Sequence, residues 1–319
     1  MSQIIRPSTN IVIPIQSKMA GLFRFTKRCA KTMAVRHQTA WIPNLITDWG
    51  LNARATVGPA IWCHVGTGNT APVNTDTTLA TWLASTNSTL TSANLSANSG
   101  SPPYYNFHRQ TFRFEAGDAE GNIAEVGIGP AGASTDELFS RALILDGLGD
   151  PTTITVLSDE VLDVEYELRN YSPTTDAVFT ITDATTDIEH EVTVRASNAS
   201  AAVSSTFSHA RFPASWEGFG FIRQSYTGGI GAVTEIPSGT TTGGSPGMAD
   251  VGYANNSLEK RGIMSWGLSD GNFGDGIRSI YFRSLQLGGF QAEFDPIILK
   301  DETKVLTVEI KAGWGRASI

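Results

Sequence analysis

An all-β fold is what this sequence predicts: two tandem antiparallel β-sandwiches behind a basic N-terminal arm. Three observations carry that reading. Residues 161–168 alternate without a break, with Leu162, Val164, Tyr166 and Leu168 on one side and Asp163, Glu165 and Glu167 on the other. That is the period-two pattern of a strand with one face buried. Short segments of this kind recur between turn residues, 32 glycines among them, with few windows at helical period. Finally, part of the first half returns near the C-terminus. Arg141-Ala142-Leu143-Ile144-Leu145 reappears as Arg283-Ser284-Leu285-Gln286-Leu287, and Val161-Leu162-Asp163-Val164-Glu165 as Val305-Leu306-Thr307-Val308-Glu309. Glu125-Val126-Gly127-Ile128 is echoed by Ser265-Trp266-Gly267-Leu268. Three echoes in order point to one β-unit written twice, and ordinary strand convergence is the competing explanation.

Residues 1–40 read as the arm. Within it, 11–13 is a short extended segment, and 22–26 and 35–41 are strands around a basic turn. Residues 41–172 hold the first sandwich. A short helix is expected over 44–54, a strand over 60–65, and a second helix over 72–84, where Leu79, Trp82 and Leu83 share a side. Residues 87–101, rich in Ser and Asn, read as a loop. Strands follow at 106–114, 123–128, 139–145, 153–157 and 161–168. In the first of these, Phe107, Arg109, Thr111 and Arg113 oppose His108, Gln110, Phe112 and Phe114. Pro173-Thr174-Thr175 marks a boundary. The second sandwich, 173–319, carries strands at 177–182, 188–195, 219–224, 233–236, 277–287 and 305–312, with a flexible loop at 238–247.

The chain has 319 residues, 17% charged and 40% hydrophobic, which suffices for two cores and excludes a fully disordered chain. No apolar run approaches the ~20 residues that span a bilayer, and 1–18 shows no secretory signal. Charge is uneven. Residues 1–47 hold seven basic side chains (Arg6, Lys18, Arg24, Lys27, Arg28, Lys31, Arg36) and no acid, leaving 16 basic and 31 acidic residues in the remainder. Such an arm is expected to meet an acidic surface. A neighbouring copy of the chain fits better than nucleic acid, because Phe23 and Phe25 alternate as in a plain strand rather than interleaving with the cations as stacking rings. Cys29 and Cys63 are too few for a disulfide framework and read as free thiols, with a bridge between copies as the alternative.

No motif assigns a catalytic, cofactor-binding or metal-binding residue. Gly127-Ile128-Gly129-Pro130-Ala131-Gly132 is a literal GxGxxG, but no chain of βαβ units follows it, so a glycine-rich β-turn is expected. Asp270-Gly271-Asn272 with Asp275-Gly276 resembles the start of a calcium loop, yet its twelfth position is Tyr281. Glu189-His190-Glu191 places its acids on one strand face and its imidazole on the other. The paired acids Asp159-Glu160 and Asp301-Glu302 read as solvated turns. Tyr104-Tyr105, Trp216, Phe219 and Phe221 are aromatic candidates for a subunit interface, a core or a glycan surface.

Several segments together resemble tail-associated structural proteins of tailed bacteriophages. These are Trp41-Ile42-Pro43-Asn44-Leu45-Ile46-Thr47-Asp48, Gly66-Thr67-Gly68, Leu138-Phe139-Ser140-Arg141-Ala142, the run from Asp150 to Leu157, Asp159-Glu160, Tyr166-Glu167-Leu168-Arg169 and the closing Gly313-Trp314-Gly315-Arg316. The resemblance implies a virion structural protein of the tail or neck, as collar or fibre. It implies binding to copies of itself and to neighbouring phage proteins, assembly in the host cytoplasm, no catalysis and no cofactor. The alternative it leaves open is a receptor-binding tail fibre or spike touching a host-surface glycan, with 172–276 carrying that contact.

Overall fold

The structure, a computed structural model, describes residues 11–56, 62–90, 95–132, 137–183, 186–197, 222–241, 246–284 and 288–319. Strand takes up 55% and helix 3%, so the chain is all-β. In order come β1 (Ile11–Cys29), β2 (Val35–Gln38), β3 (Ile42–Pro43), β4 (Leu45–Ile46), α1 (Asp48–Thr56), β5 (Trp62–Gly66) and β6 (Trp82–Thr86). Then follow β7 (Leu95–Asn98), β8 (Tyr105–Phe114), β9 (Gly121–Ile123), β10 (Glu125–Gly129), β11 (Ser140–Leu143), β12 (Ile154–Val156) and β13 (Glu160–Tyr171). The second half holds β14 (Ala177–Thr182), β15 (Glu189–Ser197), β16 (Ile222–Tyr226), β17 (Gly247–Tyr253), β18 (Glu259–Trp266), β19 (Ile277–Ser284), β20 (Gly288–Ile298) and β21 (Leu306–Arg316).

Among the described residues, the largest sheet runs β17-β18-β21-β1-β13-β8-β7, with β2 and β3 also pairing to β1. Two five-stranded sheets, β4-β11-β10-β5-β6 and β14-β15-β20-β19-β16, and the ribbon β12-β9 complete the fold. Buried side chains from all of them join one core.

β1 organises the molecule because it serves two neighbours in turn. Its first half, Ile11 to Met19, pairs in parallel with β21, and its second half, Lys18 to Cys29, pairs antiparallel with β13. Odd-numbered residues face the core on both stretches. Ile11, Ile13 and Ile15 lie opposite Val308, Ile310 and Ala312, while Phe23 and Phe25 lie opposite Tyr166 and Val164. Each large apolar side chain so buried contributes about 2 kcal/mol.

Residues 11–29 are therefore a central strand and not a detachable arm. Four of the arm's seven cations meet acids of the same chain. Arg24, Arg28, Lys27 and Arg36 pair with Glu165, Asp163, Glu160 and Asp159 of the same chain. The expected boundary at 172/173 does not separate sheets, since the largest sheet draws strands from both sides of it.

The echoes do not fall on equivalent strands. Val161–Glu165 lies in β13 and 306–309 in β21, and although both flank β1, β13 runs antiparallel to it and β21 parallel. Arg141 lies on the second strand of the hairpin β10–β11, whereas Arg283 lies on the first strand of β19–β20. Glu125 opens β10, but Ser265 and Trp266 close β18 in another sheet. At none of the three places is a duplicated unit confirmed.

Local expectations differ where side chains satisfy the backbone. The helix expected over 72–84 is turns followed by β6. Glu125 accepts the amides of Gly68, Ala80 and Thr81 at 3.1, 3.0 and 2.7 Å, which fixes the segment without helical bonds. The helix expected over 44–54 begins at Asp48. Within the presumed loop 87–101, β7 pairs with β8. At 233–236 there is a turn instead of a strand, closed by Glu235 N–H on Ala232 C=O at 2.9 Å. Residues 219–221, like 242–245 of the expected flexible loop, lie outside the described residues.

Candidate interaction face

The solvent side of β1, β13 and β8 carries the densest arrangement of functional groups. Strand alternation sends Asp163, Glu165, Glu167, Arg169 and Tyr171 of β13 to this side. From β8 the same side receives Tyr105, Phe107, Arg109 and Arg113, and from β1 Arg24 and Arg28. Register then pairs opposite charges. Arg24 is opposite Glu165, Arg113 opposite Asp163 and Arg109 opposite Glu167.

The contacts are close. Arg24 holds Glu165 with both Nε and Nη2, the latter at 2.8 Å. Arg28 and Arg113 converge on Asp163, each with Nε at 2.7 Å. Arg109 and Arg169 converge on Glu167 at 2.9 and 2.6 Å. The carboxylates lie beneath: Asp163 and Glu167 are buried, while the arginines above them stay half-buried. The hydrogen bonds Arg24 donates to Glu165 hold its guanidinium above the ordinary value, and Asp163 does the same for Arg113. Five guanidinium groups over three carboxylates leave this face two positive charges in surplus on an acidic chain.

Rings interleave with the cations. Arg24 and Arg109 lie 4.7 and 4.9 Å from the centre of the Trp41 ring. Arg169 lies 4.5 Å from that of Tyr105, which also contacts Tyr171 at 5.2 Å and Phe107 at 5.9 Å. These are cation–π and tilted aromatic geometries that fix each ring. Beside Trp41 a groove of about 680 Å³ opens between 37–43 and 144–154, with Ile144, Leu145 and Ile154 in its lining. Leu148 stands at its rim, 90% exposed. Its turn is held by Asp146, whose carboxylate accepts the amides of Leu148 and Asp150 at 2.8 and 3.0 Å.

The sequence candidates disperse. Tyr105 joins the face. Gly127 and Gly129 lie in β10, between β11 and β5, where a Cβ would meet the Ser140 carbonyl and the Glu137 carbonyl at 3.0 and 2.9 Å. They are close-packing glycines, and the next described element is a strand. At 270–272, the cation on the turn is Lys300, whose Nζ lies 2.6 Å from Asn272 Oδ1. Burial holds that ammonium below its usual value. His190 is buried with Nδ1 2.6 Å from the Pro296 carbonyl, while Glu189 and Glu191 are exposed on the other face. Among the described residues no group of His, Cys, Asp and Glu could hold a metal ion.

Asp301 is a solvated turn residue, held down to about 2 by Thr303 and Lys304. Glu160 is not solvated as expected. Burial pushes its carboxyl up, but the Leu157 amide, Lys27 and Arg36 outweigh that and hold it low. Cys63 is a buried free thiol, whereas Cys29 is half-exposed and drawn down to about 7, mainly by the Thr32 hydroxyl. Trp216, Phe219 and Phe221 lie outside the described residues.

Sequence reasoning missed the buried pair of Glu125 and Arg141. Arg141 reaches Glu125 at 2.8 Å, Asp76 at 2.6 Å and the Thr70 carbonyl at 2.8 Å. The signal was present, since Arg141 interrupts an apolar strand whose partner strand opens with an acid. Among the described residues no helix is long and apolar enough to cross a membrane. Compared with known protein families, curated proteins and solved structures, the chain matches none of them.

Proposed function

We propose that this chain is a structural protein of a tailed-phage particle, sited at the tail or neck, which binds copies of itself and neighbouring virion proteins. The observation that carries this reading is the guanidinium–aromatic face of β1, β13 and β8. Trp, Tyr and Arg are the residues that dominate binding energy at protein interfaces. Here each arginine is anchored on a carboxylate, Trp41, Tyr105 and Phe107 are each wedged against a guanidinium, and Tyr171 packs on Tyr105, so little freedom remains to be lost on association. The resemblance described above supplies the particle as the setting. In this reading the two halves are tandem sandwiches that share β1: its second half serves β13, β8 and β7, and its first half serves β21, β18 and β17.

The test is a double variant, Tyr105→Ala with Phe107→Ala, which removes half-exposed rings and unpairs no carboxylate. Sedimentation of the purified wild-type chain is expected to show concentration-dependent oligomers, which the variant loses while its melting temperature holds within a few degrees. Labelling of intact particles is expected to place the chain on the tail or neck. Oligomers unchanged by the variant, or particles without the chain, would sink the proposal.

A further inference from the structure

β14 ends its sheet in an unusual way. Unguarded sheet edges invite strand addition, and proteins blunt them with charge, bulges or shortness. The other sheet edges here are treated so. β17 carries Asp250, paired with Lys260 at 3.1 Å, and a register shift between Asp250 and Gly252. β6 pairs through a shift at Val65/Gly66, β16 contains Arg223, and β4 and β7 have two and four residues. β14 is Ala-Val-Phe-Thr-Ile-Thr, six residues in unbroken register with no charge and no proline.

The direction of its free peptide groups follows from the hairpin. Asp183 N–H donates to the Ile188 carbonyl at 2.8 Å, directly across the ladder. Bonded and non-bonded pairs alternate in antiparallel strands. Hence Ala177, Phe179 and Ile181 turn their peptide groups to β15, and Val178, Thr180 and Thr182 turn theirs outward. Among the described residues nothing pairs with those three. Their side chains are exposed too, Val178 at 58%.

The same surface is acidic. Thr180 and Thr182 lie opposite Glu191 and Glu189 of β15, and Glu191 lies opposite Asp295 of β20. All three acids are exposed, and none forms an ion pair among the described residues. Like charges set directly across a ladder are unfavourable until a cation is supplied.

We propose that the outer edge of β14 accepts an extended basic segment of a neighbouring protein as an added strand. Three peptide groups provide the pairing. Lys or Arg at alternate positions crosses the small Thr180 and Thr182 to reach Glu191 and Glu189, about 10 Å away at two strand spacings. Pairing β14 with β14 of a second copy would instead bring two net acidic faces together. The inference rests on the assembly reading above and names a partner chemistry for it.

The experiment titrates full-length chain into a fluorescent, end-blocked octapeptide of alternating Lys and Thr, with a Glu-Thr octapeptide as control. Wild type is expected to bind the Lys peptide alone, more weakly at 300 than at 50 mM salt (~tenfold, as ion pairing requires). Thr180→Pro deletes an outward N–H only, which edge strands tolerate, and is expected to weaken binding at least ~tenfold. Thr180→Lys makes no backbone demand, fills the acids from within and should do the same, so the idea survives a misfolded proline variant. Binding that both variants leave intact would show adventitious charge attraction and overturn the proposal. So would wild-type dimers that Thr180→Lys dissolves and the peptide does not, since a second copy would then own the edge. The two proposals fail separately: peptide binding is indifferent to Tyr105 and Phe107, and particles lacking the chain would leave the β14 result standing.

Discussion

Arg141 and Glu125 are both almost wholly buried, and together they replace the missing regular structure of residues 67–81. Taking two charges out of water is costly, and the cost is recovered only while each has its partners. Arg141→Ala leaves a buried carboxylate facing three amides without its counter-charge, so it should destabilise the fold by about 3–5 kcal/mol, read as a lower melting temperature. A melt within a degree of wild type would show that water replaces the guanidinium. His64 makes a second residue-scale prediction. Burial pushes its imidazole down to about 4, so the folded chain keeps it neutral where the unfolded chain protonates. A base depressed in the folded state contributes fully above its unfolded value, ~6.5, and loses that contribution as pH falls toward 4. The loss over that window is about 3 kcal/mol. Carboxylates held low in the fold, such as Glu160 and Asp176, begin to cost stability only as pH nears the ordinary carboxylate range, below ~5, at the acid end of that window. Denaturant unfolding between pH 7 and 5.5 should therefore show a slope that His64→Gln abolishes.

Elements were legible where one face is apolar and the other charged. The alternation at 161–168 became β13, and 106–114 became β8 almost to the residue. Their charges were legible separately, arginines on one and acids on the other, but pairing them required knowing that the strands are neighbours. β1 was read as fragments because Pro14 and Gly21 interrupt it. Pro14 is exposed on the solvent side of the strand, and Gly21 gives way to the Asn44 side chain, which a Cβ would meet at 2.4 Å. β18 escaped notice because Lys260 occupies an inward position, buried and paired with Asp250. β20 alternates plainly, with Phe290, Ala292 and Phe294 in the core and Gln291, Glu293 and Asp295 on the other face, and was passed over in the sequence. At β18 an inward polar group is satisfied by a partner on the neighbouring strand, which period alone does not reveal. The interaction face was legible only in Tyr105. Trp41 stood in the sequence as the end of a strand, without sign of the two arginines that meet over it.

On the scale of the whole molecule, the shared strand sets how the chain unfolds. Independent sandwiches would melt in two steps, and a core substitution in one would leave the other untouched. Here Ile13 buries with the β21 side of β1, and Phe25 with the β13 side, on one continuous backbone. Losing β1 from either neighbour exposes a strand edge and uncovers apolar side chains on both sides of Lys18. A typical net stability is only ~5–15 kcal/mol, comparable with the ~2 kcal/mol per side chain summed over the six large apolar residues of the strand that join the core, Ile11, Ile13, Ile15, Met19, Phe23 and Phe25. Ile13→Ala and Phe25→Ala should each cost about 2–5 kcal/mol, and each should lower the unfolding of both halves together. Trp266, wholly buried beside the β21 strands, and the buried thiol of Cys63, in the β5 sheet, report the two halves separately. In denaturant, the Trp266 fluorescence (the difference from Trp266→Phe, since the chain holds seven tryptophans) and Cys63 labelling in a Cys29→Ser background are expected to change at one midpoint in wild type and to shift in step in both variants. Removal of residues 1–40 should abolish the cooperative transition altogether rather than yield a folded body that merely fails to assemble. Two separated midpoints, with Ile13→Ala moving only that of Trp266, would mean that β1 joins two bodies without coupling them.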